Sequence, residues 1–186
     1  MPYAIAALFD AASEAGIQNL RRQLAEYAGS DTVAVARPHL AFAIVDRLDP
    51  EALEPMLREF CQAMPPLPLN LAAVGAFPTA EGVVYLAPVV TRPMLAAHAR
   101  LCQLLDEAGA PPVPYYRPEN WVPHCTVAIN LTREQVGGAV RICGEADVFH
   151  TDQLTQLAVA EFPPIRLVYK LPLRGAIAPS EIAGQG

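Results

Sequence analysis

Pro123-His124-Cys125-Thr126-Val127-Ala128-Ile129 repeats, in loosened form, an earlier stretch, Pro38-His39-Leu40-Ala41-Phe42-Ala43-Ile44. Aligned on the histidines, which stand 85 positions apart at 39 and 124, the two stretches share Pro, His, Ala and Ile. Matches among small apolar residues arise easily; a shared Pro-His does not. The pair reads as a degenerate internal duplication, one fold unit used twice, each copy supplying one histidine.

Both stretches are rich in β-branched and aromatic residues and read as strands. Strict alternation of side chains assigns Leu40, Phe42 and Ile44 to one face of the first and His39, Ala41 and Ala43 to the other. In the second, Cys125, Val127 and Ile129 share a face, opposite His124, Thr126, Ala128 and Asn130. One face of each strand is greasy and suited to packing under helices. The other begins with a histidine and continues with small side chains, which leaves room for a ligand. Proline before each histidine fits the start of a strand, because it cannot donate to the ladder.

The paired His-x-Thr/Ser-x motifs resemble those of the 2H phosphoesterases, the superfamily of the 2′-5′ RNA ligases and cyclic phosphodiesterases. Trp121-Val122-Pro123-His124 is similar to the approach to that family's second motif, and the strand–helix order fits over most of residues 1–175. His124-Cys125-Thr126-Val127 matches fully. His39-Leu40-Ala41-Phe42 departs, with Ala41 where the family has a hydroxyl. The resemblance implies an α+β fold of two pseudo-symmetric lobes, each an antiparallel sheet backed by helices, facing across a central cleft. It implies a lobe, discontinuous in sequence, that carries both chain ends. It also implies His39, His124 and Thr126 as catalytic residues, and a small nucleotide or RNA terminus as the partner. Ala41 opens a second reading, a nucleotide- or RNA-end-binding protein that kept the cleft and lost the chemistry.

Composition agrees with one bilobal domain over 1–175, followed by a flexible tail at 176–186. The chain is 53% hydrophobic and 17% charged, which is a globular balance. A net charge of −6 argues against a general grip on long nucleic acid. Cys61, Cys102, Cys125 and Cys143 have neither CxxC spacing nor the density of a secreted scaffold, so reduced thiols in a cytoplasmic protein are expected. Residues 1–10 lack a basic stretch and meet acid early, unlike a signal peptide, and no apolar run approaches a membrane span.

Along the chain, strands are expected at 3–9, 39–47, 67–77, 83–87, 153–162 and 165–173, besides the second motif. Helices are expected at 12–27, from Asp49-Pro50 onward, at 91–107 with Leu95, Leu101, Leu104 and Leu105 inward, and at 132–143, the last weakened by Gly137-Gly138. Neighbouring strands imply antiparallel pairing and an α+β class. The loop at 110–123 holds five prolines, Tyr115, Tyr116, Arg117 and the only tryptophan. A long loop of that composition is often functional. Ala41 in the first motif and Tyr116, Arg117 and Trp121 in this loop are candidates to touch substrate, the aromatic rings by stacking on a base.

Two facing histidines suit proton transfer near neutrality. Thr126 can hydrogen-bond a phosphate oxygen. Ala41 cannot, and a water, a backbone N–H, Arg37 or Arg117 would have to substitute. This chemistry needs no cofactor and no metal. A metal site on His124 and Cys125 is the third reading, weakened because adjacent strand residues point to opposite faces. His98 and His150 are expected at the surface, Cys125 in the core, and Arg166 and Lys170 on one solvent-directed face of the last strand.

Overall fold

The computed structural model describes residues 1–29 and 36–174; the expected tail at 176–186 lies outside them. The strands are β1 (Tyr3–Phe9), β2 (His39–Val45), β3 (Leu67–Ala76), β4 (Val84–Pro88), β5 (Cys125–Ala128), β6 (Thr151–Glu161) and β7 (Arg166–Pro172). The helices are α1 (Ala11–Ala28), α2 (Pro50–Ala63), α3 (Arg92–Glu107) and α4 (Arg133–Gly144). Each helix starts where the sequence provides an oxygen for its free N–H groups. Asp10, Asp49, Thr91 and Thr132 are the N-caps, and Thr132 forms a reciprocal capping box with Gln135.

The strand order is β2-β1-β6-β3-β4-β5, with β7 added alongside β6. All pairings are antiparallel. Exchanging β1 with β4, β2 with β5 and β3 with β6 reproduces this order in reverse. The molecule is therefore two β-α-β-α-β units about a pseudo-twofold axis, and each unit lends its third strand to the other. One lobe is β2-β1-β6-β7; the other is β3-β4-β5. They meet where Leu67–Asn70 of β3 pair with Thr151–Leu154 of β6. The fold is α+β, and the lobe with both chain ends is discontinuous in sequence.

The register repeats the symmetry. In the β1–β2 ladder Ala41 faces Ala6 and Ala43 faces Ile5, so Phe42 is an extra residue. In the β4–β5 ladder Thr126 faces Tyr85 and Ala128 faces Val84, so Val127 is extra. Phe42 and Val127 occupy the same place in the two aligned motifs. A second matched pair of bulges leaves Ala72 and Thr155 unopposed in β3 and β6. A bulge inserts one residue and switches the faces beyond it. Here the alternation read from the sequence is corrected: Ala43 and Ala128 turn into the core, and Ile44 turns into the cleft.

The core lies on the helix side of the sheet. Ile5, Ala7 and Phe9 of β1 point into it, as do Leu40, Phe42 and Val45 of β2 and Leu157 and Val159 of β6. The inward face of α3 is Met94, Ala97, His98, Leu101, Cys102, Leu104 and Leu105. Leu95, expected inside, is 44% exposed, because it sits one residue around the helix from Met94, outside the apolar stripe. No helix among the described residues is long and apolar enough to cross a membrane.

Candidate functional site

The two histidines are mounted alike. His39 at the start of β2 and His124 just before β5 each turn Nδ1 toward the carbonyl two residues back, that of Arg37 and of Val122, at 2.7 Å in both cases. A carbonyl accepts only from N–H, so Nδ1 carries the proton and Nε2 is left for the cleft. Both rings line a single cavity of about 370 Å³ between the lobes. Burial holds both below the usual imidazole range. For His39 the charges of Arg21 and His124 add to burial, while the Arg37 carbonyl opposes it. For His124 only the Val122 carbonyl opposes burial.

Arg21 is a residue that sequence reasoning missed. It lies on the buried face of α1 at 5% exposure. Its guanidinium donates to the Ala36 carbonyl at 2.5 Å and to the Thr126 carbonyl at 2.7 Å. One side chain thus ties the entry to the first motif strand to the middle of the second. Cys125 lies against it in the core, on the face opposite His124, and burial pushes its thiol up while Arg21 draws it down. The only signal for Arg21 in the sequence was a charge within one turn of Ile17, Leu20 and Leu24.

His39, Ala41, Tyr116, His124 and Thr126 line the same cleft, together with Arg37 and Lys170. Arg117 does not. It makes two hydrogen bonds to Asp106, at 2.9 and 2.7 Å, on the outer surface. Trp121 is also withdrawn, only 8% exposed. Its indole stacks on His98 at 3.9 Å between ring centroids, 5° from parallel, and its N–H donates to the Ala41 carbonyl at 3.0 Å. Its ring face is occupied by His98, so it supports the first motif from behind. His98, expected at the surface, is fully buried. His150 is partly exposed and pairs with Asp152 at 2.9 Å. Arg37 lines the cleft but is held by Glu14 through both nitrogens it uses. Tyr115 is 81% exposed and outside the cleft lining.

Arg166 and Lys170 were expected on one face of β7. A bulge at Val168 separates them: Arg166 binds Glu161, and Lys170 enters the cleft lining. A further aromatic cluster was missed. Phe77 and Tyr85 lie 4.5 Å apart, and both meet the His124 ring edge-on, at 4.9 and 5.4 Å. Gly75 makes this possible, since a Cβ there would stand 2.4 Å from the Tyr85 ring. A second cavity, about 400 Å³ between α2 and α3, contains no histidine.

A sequence profile of the 2′-5′ RNA ligase superfamily matches residues 8–159. The chain belongs to that superfamily. Its fold is that of solved 2H phosphoesterases. TT0787 of Thermus thermophilus superposes with a TM-score of 0.65 at 15% identity, over 95% of this chain and 100% of that one. E. coli LigT in complex with 3′-AMP gives 0.64 at 17% identity, over 93% and 99%. A further crystal structure, described as a phosphoesterase, gives 0.61 at 18% identity, over 92% and 97%. No curated protein sequence matches significantly. In superfamily terms the second motif is intact and the first carries Ala41 in place of its hydroxyl.

Proposed function

We propose that this 2H-superfamily chain hydrolyses a 2′,3′-cyclic or 2′-5′-linked ribose phosphate on a nucleotide or RNA end, by acid–base catalysis between two histidines and without a metal. The observation that carries the reading is the pair of identically pinned imidazoles, each with Nε2 free for one cleft. A water attacks phosphorus as one Nε2 takes its proton; the bond to the ribose oxygen breaks, and the other imidazolium gives that oxygen its proton. Such help is worth about 10²–10⁴-fold in rate. His39 is assigned as base, because the Arg21 charge beside it favours the neutral ring. His124 is assigned as acid, because among the described residues no cation stands beside its ring as Arg21 stands beside that of His39. Thr126 bonds a non-bridging oxygen. The 3′-AMP held by E. coli LigT supports a ligand of nucleotide size.

The test is steady-state hydrolysis of 2′,3′-cyclic nucleotides. Turnover should persist in EDTA and fall by two or more orders of magnitude in both His39→Ala and His124→Ala, with circular dichroism unchanged. Wild-type rates in both variants would end the assignment, and zinc-restorable loss in EDTA would move it to the metal reading. Ala41 favours a second function, a binder of nucleotide or RNA ends; tight binding of the same nucleotides with no turnover would establish it.

A further inference from the structure

The pseudo-twofold exchange accounts for six strands and leaves β7 without a counterpart. The duplicated motifs supply the two histidines and Thr126. The added strand supplies Lys170, the only lysine in the chain, which lines the same cavity. Its side chain has no hydrogen bond or ion pair among the described residues. Arg37, the other permanent cation of the lining, is held by Glu14, and Arg166 on the same strand as Lys170 is held by Glu161.

The strand register locates this cation. Lys170 stands level with Ala158, Ala6 and Ala41, three strands from β2 and one row past His39. Strands lie about 4.8 Å apart and rows about 7 Å, so the two Cα atoms are about 16 Å apart along the sheet. Between them the floor carries the methyl groups of Ala6 and Ala158, which leave the space above open. Lys170 is also one strand and one row from Ala160, so its flexible four-carbon stem sweeps the far half of the floor. The ammonium thus serves the side of the cavity away from His39. The net charge of −6 repels anions from the molecule as a whole, yet no carboxylate among the described residues lines this cavity. A cleft lined by one sign of charge between apolar walls concentrates the opposite ion, and a phosphate oxygen is a strong partner for an unpaired ammonium.

Building on the phosphoesterase reading, we propose that Lys170 forms a second anion subsite, which holds a further phosphate on the 5′ side of the ribose whose reacting phosphate lies between the histidines. The preferred substrate then carries two phosphates, and Lys170 sets its direction in the cleft. The two histidine motifs are related by the pseudo-twofold and present a phosphate with similar faces from either side; the cation on the unpaired strand breaks that equivalence.

The experiment measures kcat/KM of the intact protein for three compounds: 2′,3′-cyclic AMP, the same compound with a 5′-phosphate, and adenylyl-3′,5′-adenosine 2′,3′-cyclic phosphate, whose second phosphate is a link in a strand. At least one of the two doubly phosphorylated compounds should be preferred over cyclic AMP by about tenfold, and which one tells a terminal group from a link. Lys170→Met should abolish that preference and Lys170→Glu should invert it. Lys170 is exposed, so neither change disturbs the core. The absence of any preference in the wild type overturns the proposal, as does a Lys170→Met loss of the same factor on all three compounds. A second readout needs no turnover. Because Lys170 is the only lysine, acetylation of side-chain amines followed by mass spectrometry reports on it alone. Saturating adenosine 3′,5′-bisphosphate should slow its acetylation severalfold more than saturating adenosine 3′-phosphate; equal protection overturns the subsite. If none of the three compounds is consumed, the phosphoesterase reading fails, and the protection assay alone judges Lys170.

Discussion

Position 41 is where the two halves of the site differ most. Thr126 offers a hydroxyl to the cleft, and its counterpart Ala41 offers a methyl group, with its carbonyl held by Trp121. Thr126→Ala should lower kcat/KM for a cyclic nucleotide by the worth of one hydrogen bond to a charged oxygen, about 1.5–3 kcal/mol. Ala41→Thr should raise it, because the added hydroxyl meets the symmetric oxygen; a fall would mean the floor has adapted to the methyl group. Arg21 acts at one remove, as a positioning residue. Arg21→Met leaves the Ala36 and Thr126 carbonyls without their donor, at about 1–3 kcal/mol each, and loosens both motif strands. Chemical denaturation should report that loss. Because Arg21 also holds His39 low, its removal lets the ring keep its proton to higher pH. The acid limb of the kcat/KM profile should move upward, a shift that general loosening would not produce.

Single residues acquire their direction from the elements that carry them, and α4 offers a clean comparison. Gly137 and Gly138 are adjacent in one helix, each costing about 0.5–1 kcal/mol relative to alanine. A Cβ on Gly137 meets open space, whereas one on Gly138 would stand 2.0 Å from the Tyr27 hydroxyl on α1. Gly137→Ala should raise the unfolding free energy by about that amount, and Gly138→Ala should gain less, since the Tyr27 ring must swing aside. The doublet seen in sequence as a weak point is thus partly a packing feature between two helices. Elsewhere the elements themselves were legible: caps, apolar periods and turn residues located the strands and helices to within a few residues. The faces of strands were not. Ile44, Ala43, Ala128 and Lys170 all lie beyond a bulge at Phe42, Val127 or Val168, and nothing local in the sequence marks an extra residue in a ladder. The misjudged loop residues have a different cause. Trp121 and Arg117 found partners, His98 and Asp106, that are remote in sequence and invisible to a local reading.

At the scale of the whole molecule, three of the four histidines are buried enough to be held below the ordinary imidazole value of 6.5: His39, His98 and His124. Burial is the first cause in each case. When the folded value is depressed, the unfolded chain binds more protons between the two values, so stability falls as pH drops through that window. Urea unfolding should therefore show a declining free energy from pH 6.5 downward, and His98→Phe should flatten part of the decline, since a neutral aromatic ring can still stack on Trp121. A slope unchanged in that variant would remove His98 from the account. The same depression bears on rate: with both site imidazoles low, the kcat/KM optimum should lie on the acid side of 6.5.

The exchange of third strands between the two units has an evolutionary reading. A half-length ancestor ending at its third strand would have had an unfinished sheet and one histidine. Two copies, each completing the other's sheet, make a closed swapped homodimer and bring both imidazoles to one shared cleft. Fusion of the two genes would then have changed no contact, while freeing each copy to diverge. The alanine at 41 opposite the threonine at 126 is the kind of inequality that an obligate dimer of identical chains cannot hold, and a tandem fusion can.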